Sequence, residues 1–429
     1  MKNILLIFFF LLTICKLNAK ESLSFYLNKA LENNLELNAE RKNFDSAKQN
    51  KNISRSEFLP SITISGDQTS TTSSNRTDQN GSSLTDTNLD SESKKISIEQ
   101  KIFSGFKGLN TFKKSDLETQ KANLELKEKE QKTILDTAFA YYDLIYKTKN
   151  ERVNISNVNL FERQVEYDNA RVQKGEVSLT DLAQSESSLA GANANLIKAK
   201  TELLSSISNF ERVTRESAPN IENLNGKEIL SLPSSLNSAQ EISSLNNINL
   251  LISKLNFEIS KRELNIERSR FSPTASIEVS KTENNDFSST VDEKDEEKVK
   301  ATITWPIIKG GENISAIKKS TFNKQRYQLL LEDTKNKISI DTSNSWSKYQ
   351  SSKSVLEATM AQLKAAEIAN EGITLEYDSG NTRTTLEVIQ SRSLLFEARI
   401  AFAKAERDFM ISQFELAKQI GTLSKNSLK

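Results

Sequence analysis

The chain is written twice, and the two writings keep step. A large apolar residue recurs every seventh position at Leu182, Leu189, Leu196, Leu203 and Phe210, and again at Val388, Leu395, Phe402, Phe409 and Leu416. Three residues after the first four members of each series stand small ones: Ser185, Ala192, Ala199 and Ser206, then Ser391, Ala398, Ala405 and Ser412. A seven-residue apolar period marks a helix packed along its length on another helix. A small residue at the alternate seam position lets the partner approach closely. One such series describes any amphipathic helix. Two with the same large-then-small order describe a duplicated unit.

Other blocks repeat in the same order. Asn33-Asn34-Leu35-Glu36-Leu37 returns as Asn246-Asn247-Ile248-Asn249-Leu250, and Arg55-Ser56-Glu57-Phe58-Leu59-Pro60 returns as Arg268-Ser269-Arg270-Phe271-Ser272-Pro273. Ile102-Phe103-Ser104-Gly105 is answered by Ile307-Ile308-Lys309-Gly310. Each copy therefore predicts one plan. A helix over 22–58 or 239–271 ends at a proline, which cannot continue the amide ladder. A strand, a polar loop and a second strand follow. A very long helix comes next, over 110–173 or 315–377, then a break at Gly175 or Gly380 and a return helix over 180–215 or 385–420. A helix of about 60 residues is about 90 Å long. It outruns any single globular core and has to lie against similar helices.

The implied organisation is 1–19 signal peptide, 20–218 first repeat, 219–238 linker, 239–424 second repeat and 425–429 tail. Lys2, the apolar run from Ile4 to Ile14 and the small Ala19 have the order of a cleaved secretory signal. The only cysteine, Cys15, lies inside it. After residue 19 no window is apolar enough for a membrane-spanning helix.

Composition removes other classes. Lys plus Arg number 58 against 57 Asp plus Glu, so no global field draws nucleic acid. There is no histidine, which removes imidazole bases and ligands. No nucleophile motif, phosphate loop or metal-ligand spacing is present, so the expectation is no enzyme, no cofactor and no metal.

Four strands are predicted, over 61–67, 95–103, 274–281 and 298–308. The last alternates best: Val299, Ala301, Ile303 and Trp305 share one face, Lys300, Thr302 and Thr304 the other. About ten residues of such alternation suit a membrane β-strand. A one-sided soluble sheet gives the same pattern. If the strands cross a membrane, their edges cannot stay unpaired in hydrocarbon. Four strands are too few to close a barrel, so several chains would share one. A periplasmic coiled-coil adaptor or scaffold is the alternative; it accounts for the long helices but not for strands set between helices in both copies.

Over its whole mature length the chain resembles the TolC-type outer-membrane efflux and secretion channels. The resemblance rests on the duplicated Asn-Asn-Leu…Phe-Leu-Pro block, the strand ending Ile102-Phe103-Ser104-Gly105 before a long helix, and the glycine-then-heptad return helix. It implies a mainly helical fold, a periplasmic α-barrel, and four strands given to a trimeric twelve-stranded barrel in outer-membrane lipid of a Gram-negative bacterium. It also implies a periplasmic adaptor of the membrane-fusion type and an inner-membrane pump or ABC transporter as partners. The stretch from Tyr377 to Val388 resembles the family's gating turn. By that resemblance Tyr377 and Arg383 pair with Asp181, Glu387 is a pore-facing acid, and Gln184 and Gln390 line the pore. Gln390 stands where the family carries a second acid.

Overall fold

The computed structural model describes residues 22–219, 230–288, 290–379 and 383–427. The predicted signal peptide, half of the linker and Gly380 lie outside the described residues. The chain divides into two compact units. One is helical and comprises 1–41, 125–251 and 333–429; the other comprises 42–124 and 252–332 and holds the sheet.

The order of elements runs through twice. The first pass is α1 (Leu23–Asn33), α2 (Leu35–Arg55), β1 (Ser61–Ser73), a small ribbon of β2 (Arg76–Thr77) and β3 (Ser83–Leu84), β4 (Thr87–Phe103), α3 (Lys107–Gln173) and α4 (Leu179–Thr214). The second is α5 (Leu236–Asn246), α6 (Ile248–Arg268), β5 (Thr274–Ser288), β6 (Val291–Thr304), α7 (Glu312–Asp378) and α8 (Thr385–Gln419).

Each copy opens on two helices where one was expected. The reason is the repeated asparagine pair. Asn34 has extended backbone (φ −66°, ψ 120°), and its N–H closes α1 on the Ala30 carbonyl. Its side-chain oxygen then accepts from the Leu37 N–H at 3.0 Å and starts α2. Asn247 repeats this, with ψ 122° and a 3.1 Å bond from the Leu250 N–H. An asparagine oxygen satisfies a first-turn amide that a helix cannot satisfy itself, so one residue ends one helix and begins another.

In the helical unit the core gathers Tyr26, Leu27, Ile134, Tyr141, Phe210 and Phe414. The rings of Tyr26 and Phe210 meet edge to face at 4.9 Å. The small seam residues Ser185, Ala192, Ala199 and Ser206 are buried, and so are Ser391, Ala398, Ala405 and Ser412. Close helix approach, read from the alternation, is therefore what the structure uses. The C-terminal turn docks on the second asparagine junction. Gly421 has φ +78°, and a Cβ there would stand 2.2 Å from the Asn246 carbonyl oxygen. Asn247 Nδ2 donates to the Gln419 carbonyl at 2.7 Å.

In the other unit the four long strands form one antiparallel sheet in the order β1-β4-β5-β6. All four run well beyond a predicted end, β6 starting at Val291 rather than 298. The stretches read as polar loop pair residue by residue, with Thr69 opposite Ser91 and Glu283 opposite Asp295. Their lack of apolar residues hid the strands, since pairing needs only backbone groups and threonine tolerates the pleat. The fourth strand stops at Thr304, short of the predicted 308, because Pro306 brings no N–H to a ladder. Across the sheet Ile62, Ile98, Val279 and Val299 stand directly opposite one another. These side chains and their neighbours Ile64, Ile277 and Ile303 are exposed, Ile64 at 79%. The other face carries Thr63, Ser97, Ser280, Lys298 and Thr302, all polar. β1 and β6 are the sheet's outer strands, each paired on one side only among the described residues.

Candidate functional site

The most connected polar cluster in the helical unit lies where its two hairpins turn. It draws on the end of α3, the start of α4, the end of α7 and the start of α8. α3 ends because Gly175, at φ +76°, lets its N–H turn back on the Val172 carbonyl. α4 then starts with a capping box. Ser178 Oγ accepts from the Asp181 N–H, and the Asp181 carboxylate accepts from the Ser178 N–H (3.0 Å) and hydroxyl (2.7 Å). α8 starts the same way, with Thr384 and Glu387 in those roles. The turn between α7 and α8 falls on residues outside the described set.

Asp168 stands at the centre, with none of its surface exposed. Its Oδ1 accepts from Tyr377 OH at 3.2 Å and from Gln164 Nε2 at 2.9 Å. Its Oδ2 accepts from Ser185 Oγ and from the same Gln164 amide at 3.0 Å. Two guanidiniums hold the outer ring of this cluster. Arg171 donates to Tyr377 OH at 2.9 Å and pairs with Glu176 at 3.2 Å. Arg392 donates to Gln164 Oε1 at 2.8 Å. Tyr377 also shares a hydrogen bond with Thr385 Oγ1 at 3.0 Å, and Tyr167 packs on its ring edge at 6.0 Å. Burial pushes the Tyr377 phenol above its ordinary range, so it stays a neutral donor. Burial also pulls the Arg392 guanidinium down, though a guanidinium keeps its charge at any physiological pH.

The site residues expected from sequence fall in two groups. Tyr377 is buried at the centre as described. Arg383 is more exposed and binds acids of its own hairpin, Glu376 at 2.6 Å and Glu387 at 3.0 Å. Glu387 is held low by the Thr384 N–H first, and then by Arg383 and the Thr384 hydroxyl. The expected tie from Tyr377 and Arg383 to Asp181 is not the one made within the chain. Asp181 is used up in capping α4, and its carboxyl is held low by the Ser178 hydroxyl and N–H. Asp168, near the C-terminal end of the preceding helix α3, takes the tyrosine instead. Gln184 and Gln390 are exposed.

Comparison with known proteins adds the family. The model described as outer membrane efflux protein matches residues 26–213 and again 242–422. The chain belongs to the outer membrane efflux protein family. It is 23% identical to the outer membrane efflux protein BepC of Brucella suis biovar 1 (strain 1330), over 95% of this chain and 87% of that one. It is 22% identical to the outer membrane protein TolC of Escherichia coli (strain K12), over 96% of this chain and 84% of that one. The Campylobacter jejuni CmeC outer membrane channel shares its fold with a TM-score of 0.81 at 15% identity, over 94% of this chain and 86% of that one. The open state of the Neisseria gonorrhoeae MtrE outer membrane channel does so with 0.77 at 15% identity, over 94% and 90%.

The family member is thus an outer-membrane efflux channel, mainly helical with a small sheet, and the adaptor alternative falls away. Sequence reasoning missed Asp168, Gln164, Arg171, Ser185 and Thr385 as a group. One signal was present in the sequence: Ser185 is a member of the small-residue seam, and Gln164 and Asp168 are four apart on one helix face. Buried polar residues on a seam need partners. Only the structure says which.

Proposed function

We propose that three copies of this chain assemble into one exit duct. Each gives its four strands to a shared barrel of twelve, while the helical hairpins form a periplasmic tunnel that narrows at the hairpin tips. The observation that carries this is the sheet. It is polar on one face, bears an exposed apolar row on the other, and among the described residues leaves β1 and β6 each unpaired along one edge. In lipid an open edge costs several kcal/mol per unpaired group, so β6 of one copy has to pair with β1 of the next. The apolar row then faces lipid and the polar face lines the bore.

The duct would accept cargo from an inner-membrane pump or ABC transporter through a periplasmic adaptor, and pass small molecules or proteins outward. The chemistry is transport; no reaction is assigned to it. The tips would be the closed end, with Tyr377, Arg383 and Glu387 holding the second hairpin and Asp181 capping the first. Gln184 and Gln390 would stand toward the bore. Residues 1–19 would direct export and be removed, so the mature chain would begin at Lys20.

The test is an edge-to-edge cross-link. A single cysteine at Ser65 on β1 is combined with a series along β6 at Lys298, Lys300 and Thr302. Oxidation of cells carrying one matched pair is expected to give a covalent trimer on denaturing gels. Purified mature protein that stays monomeric and water-soluble without detergent would sink the proposal.

A further inference from the structure

The apolar residues of the sheet do not keep to its rows, and their drift fixes how two copies meet. Thr63, Ser97, Ser280 and Lys298 stand in one row across the four strands. On β1 the apolar stretch is Ile62 and Ile64; beyond Gly66 the same face turns polar, with Gln68, Ser70 and Thr72. On β6 the stretch is Val299, Ala301 and Ile303, with Trp305 just past the strand end. The middle of the β1 stretch, Thr63, lies in the row of Lys298. The middle of the β6 stretch is Thr302, four residues along.

A hydrocarbon layer is level, so a level apolar band with this stagger belongs to tilted strands. Four residues over three strand spacings is about 13 Å of climb over about 14 Å of sheet, a tilt of about 40°. That is the tilt membrane barrels use. Carried one strand spacing further, the same slope gives an offset of about 5.3 residues from one copy's β1 to the next. A slip by one residue would turn every apolar side chain to the wrong face, so the offset is even. The nearest even offset sets Ile62 of the next copy opposite Trp305, Ile64 opposite Ile303 and Gly66 opposite Ala301.

This register also pairs two charges that the single chain leaves over. Lys300 stands opposite Glu278, but Lys95 holds that carboxylate at 2.6 Å. Neither Lys300 nor Asp67 makes an ion pair among the described residues. Across the joint they stand directly opposite, on the polar face. A register shorter by two residues gives Asp67 to Lys298, which already has Glu296 at 3.8 Å. One shorter again sets Asp67 against Glu296, a like charge. The rest of the β1 arm, Gln68 to Ser73, is uncharged, so it meets the acid-rich run Asp292 to Glu297 without repulsion.

We propose that neighbouring copies join with Asp67 of one opposite Lys300 of the next, so that the ion pairs ring the bore. The inference rests on the reading of the sheet as one third of a shared barrel. It adds a register and a contact that no single copy contains.

The test uses the full channel in outer membranes and reads the heat-resistant trimer on denaturing gels. Asp67→Lys is expected to lose the trimer band at temperatures where the wild type keeps it. Adding Lys300→Asp should restore the band, and adding Lys298→Asp should not. Cysteine pairs give a second measurement, because Cys15, the only native cysteine, lies in the predicted signal peptide. Ser65→Cys with Thr302→Cys should cross-link copies on oxidation, since directly opposed residues have Cα atoms within disulfide range. Ser65→Cys with Lys300→Cys or with Lys298→Cys should not, being displaced along the strand.

Rescue by Lys298→Asp in place of Lys300→Asp, or cross-linking through Lys300→Cys in place of Thr302→Cys, overturns the register and leaves the shared barrel standing. A trimer unmoved by Asp67→Lys overturns the ion pair. A trimer in which none of the three cysteine pairs cross-links overturns the register as well. A protein that stays monomeric overturns the barrel reading itself. Should Asp67→Lys not assemble even with Lys300→Asp, the cysteine pairs decide alone.

Discussion

The two hairpin tips are built on the same frame and filled differently. Aligned by their heptads, Gln164, Asp168, Arg171 and Ser185 of the first correspond to Asn370, Thr374, Tyr377 and Ser391 of the second. Both return helices start with a capping box of the same type. In the first hairpin the seam serine donates to a buried carboxylate. In the second, Ser391 donates to the neutral Asn370 at 3.3 Å, and the Thr374 hydroxyl is buried with no partner among the described residues. The first tip thus carries the charge and the second carries the tyrosine that reads it. Two hairpins on one plan thus differ at the seam, the first placing a buried aspartate where the second places a threonine.

The sharpest way to break this contrast is to empty the first tip. Asp168→Leu leaves Tyr377, Gln164 and Ser185 short of an acceptor. It is expected to lower the local stability of the tip by about 3 kcal/mol. Hydrogen exchange of the α3 and α4 amides near the turn would report this, and unchanged protection would refute it. Tyr377→Phe removes the other half of the pair and strands Arg171 and Thr385, at a cost of about 1–2 kcal/mol by the same measurement.

Paired serine variants sharpen the comparison further. Ser185→Ala loses a bond to a charged acceptor, worth about 1.5–3 kcal/mol, whereas Ser391→Ala loses a long neutral one, worth about 0.5–1 kcal/mol. Equal effects would mean the two seams are energetically alike. Thr374→Val removes a buried hydroxyl that has no partner, so it is expected to be neutral or to stabilise by up to about 1 kcal/mol.

The smallest effect concerns what the tips share. Asp181 and Glu387 are both held below the ordinary carboxylate range, Asp181 by Ser178 and Glu387 by Thr384 and then Arg383. A depressed folded-state value means the caps contribute fully above the ordinary range, near pH 4, and lose that contribution as pH falls through the folded value. Acidification from pH 7 to about 3 should therefore fray the first turns of α4 and α8 together. Exchange rates in which only one helix responds would show that the capping boxes are not equivalent.

Much of the molecule was legible without coordinates. The heptads gave the return helices, and Gly175 gave the first break. The alternation of Val299 to Trp305 gave a strand with one apolar face. Three things were not legible. The asparagine pairs repeat visibly, but a sequence does not say whether such a pair caps a helix or rides along one. The polar arms of the four strands show no apolar period, because polar residues occupy both of their faces. The tip cluster joins residues more than 200 apart, such as Asp168 and Tyr377.

The sequence by itself determined the duplicated plan, the element order and the family, because these depend on periods and punctuation read along the chain. Tertiary structure alone decided that Asp168, rather than Asp181, holds Tyr377. An aspartate three residues into a helix can fold back to cap its own first turn, and one buried on a seam cannot. Which acid is left free to reach across is settled by packing, where each buried lone pair must find a donor.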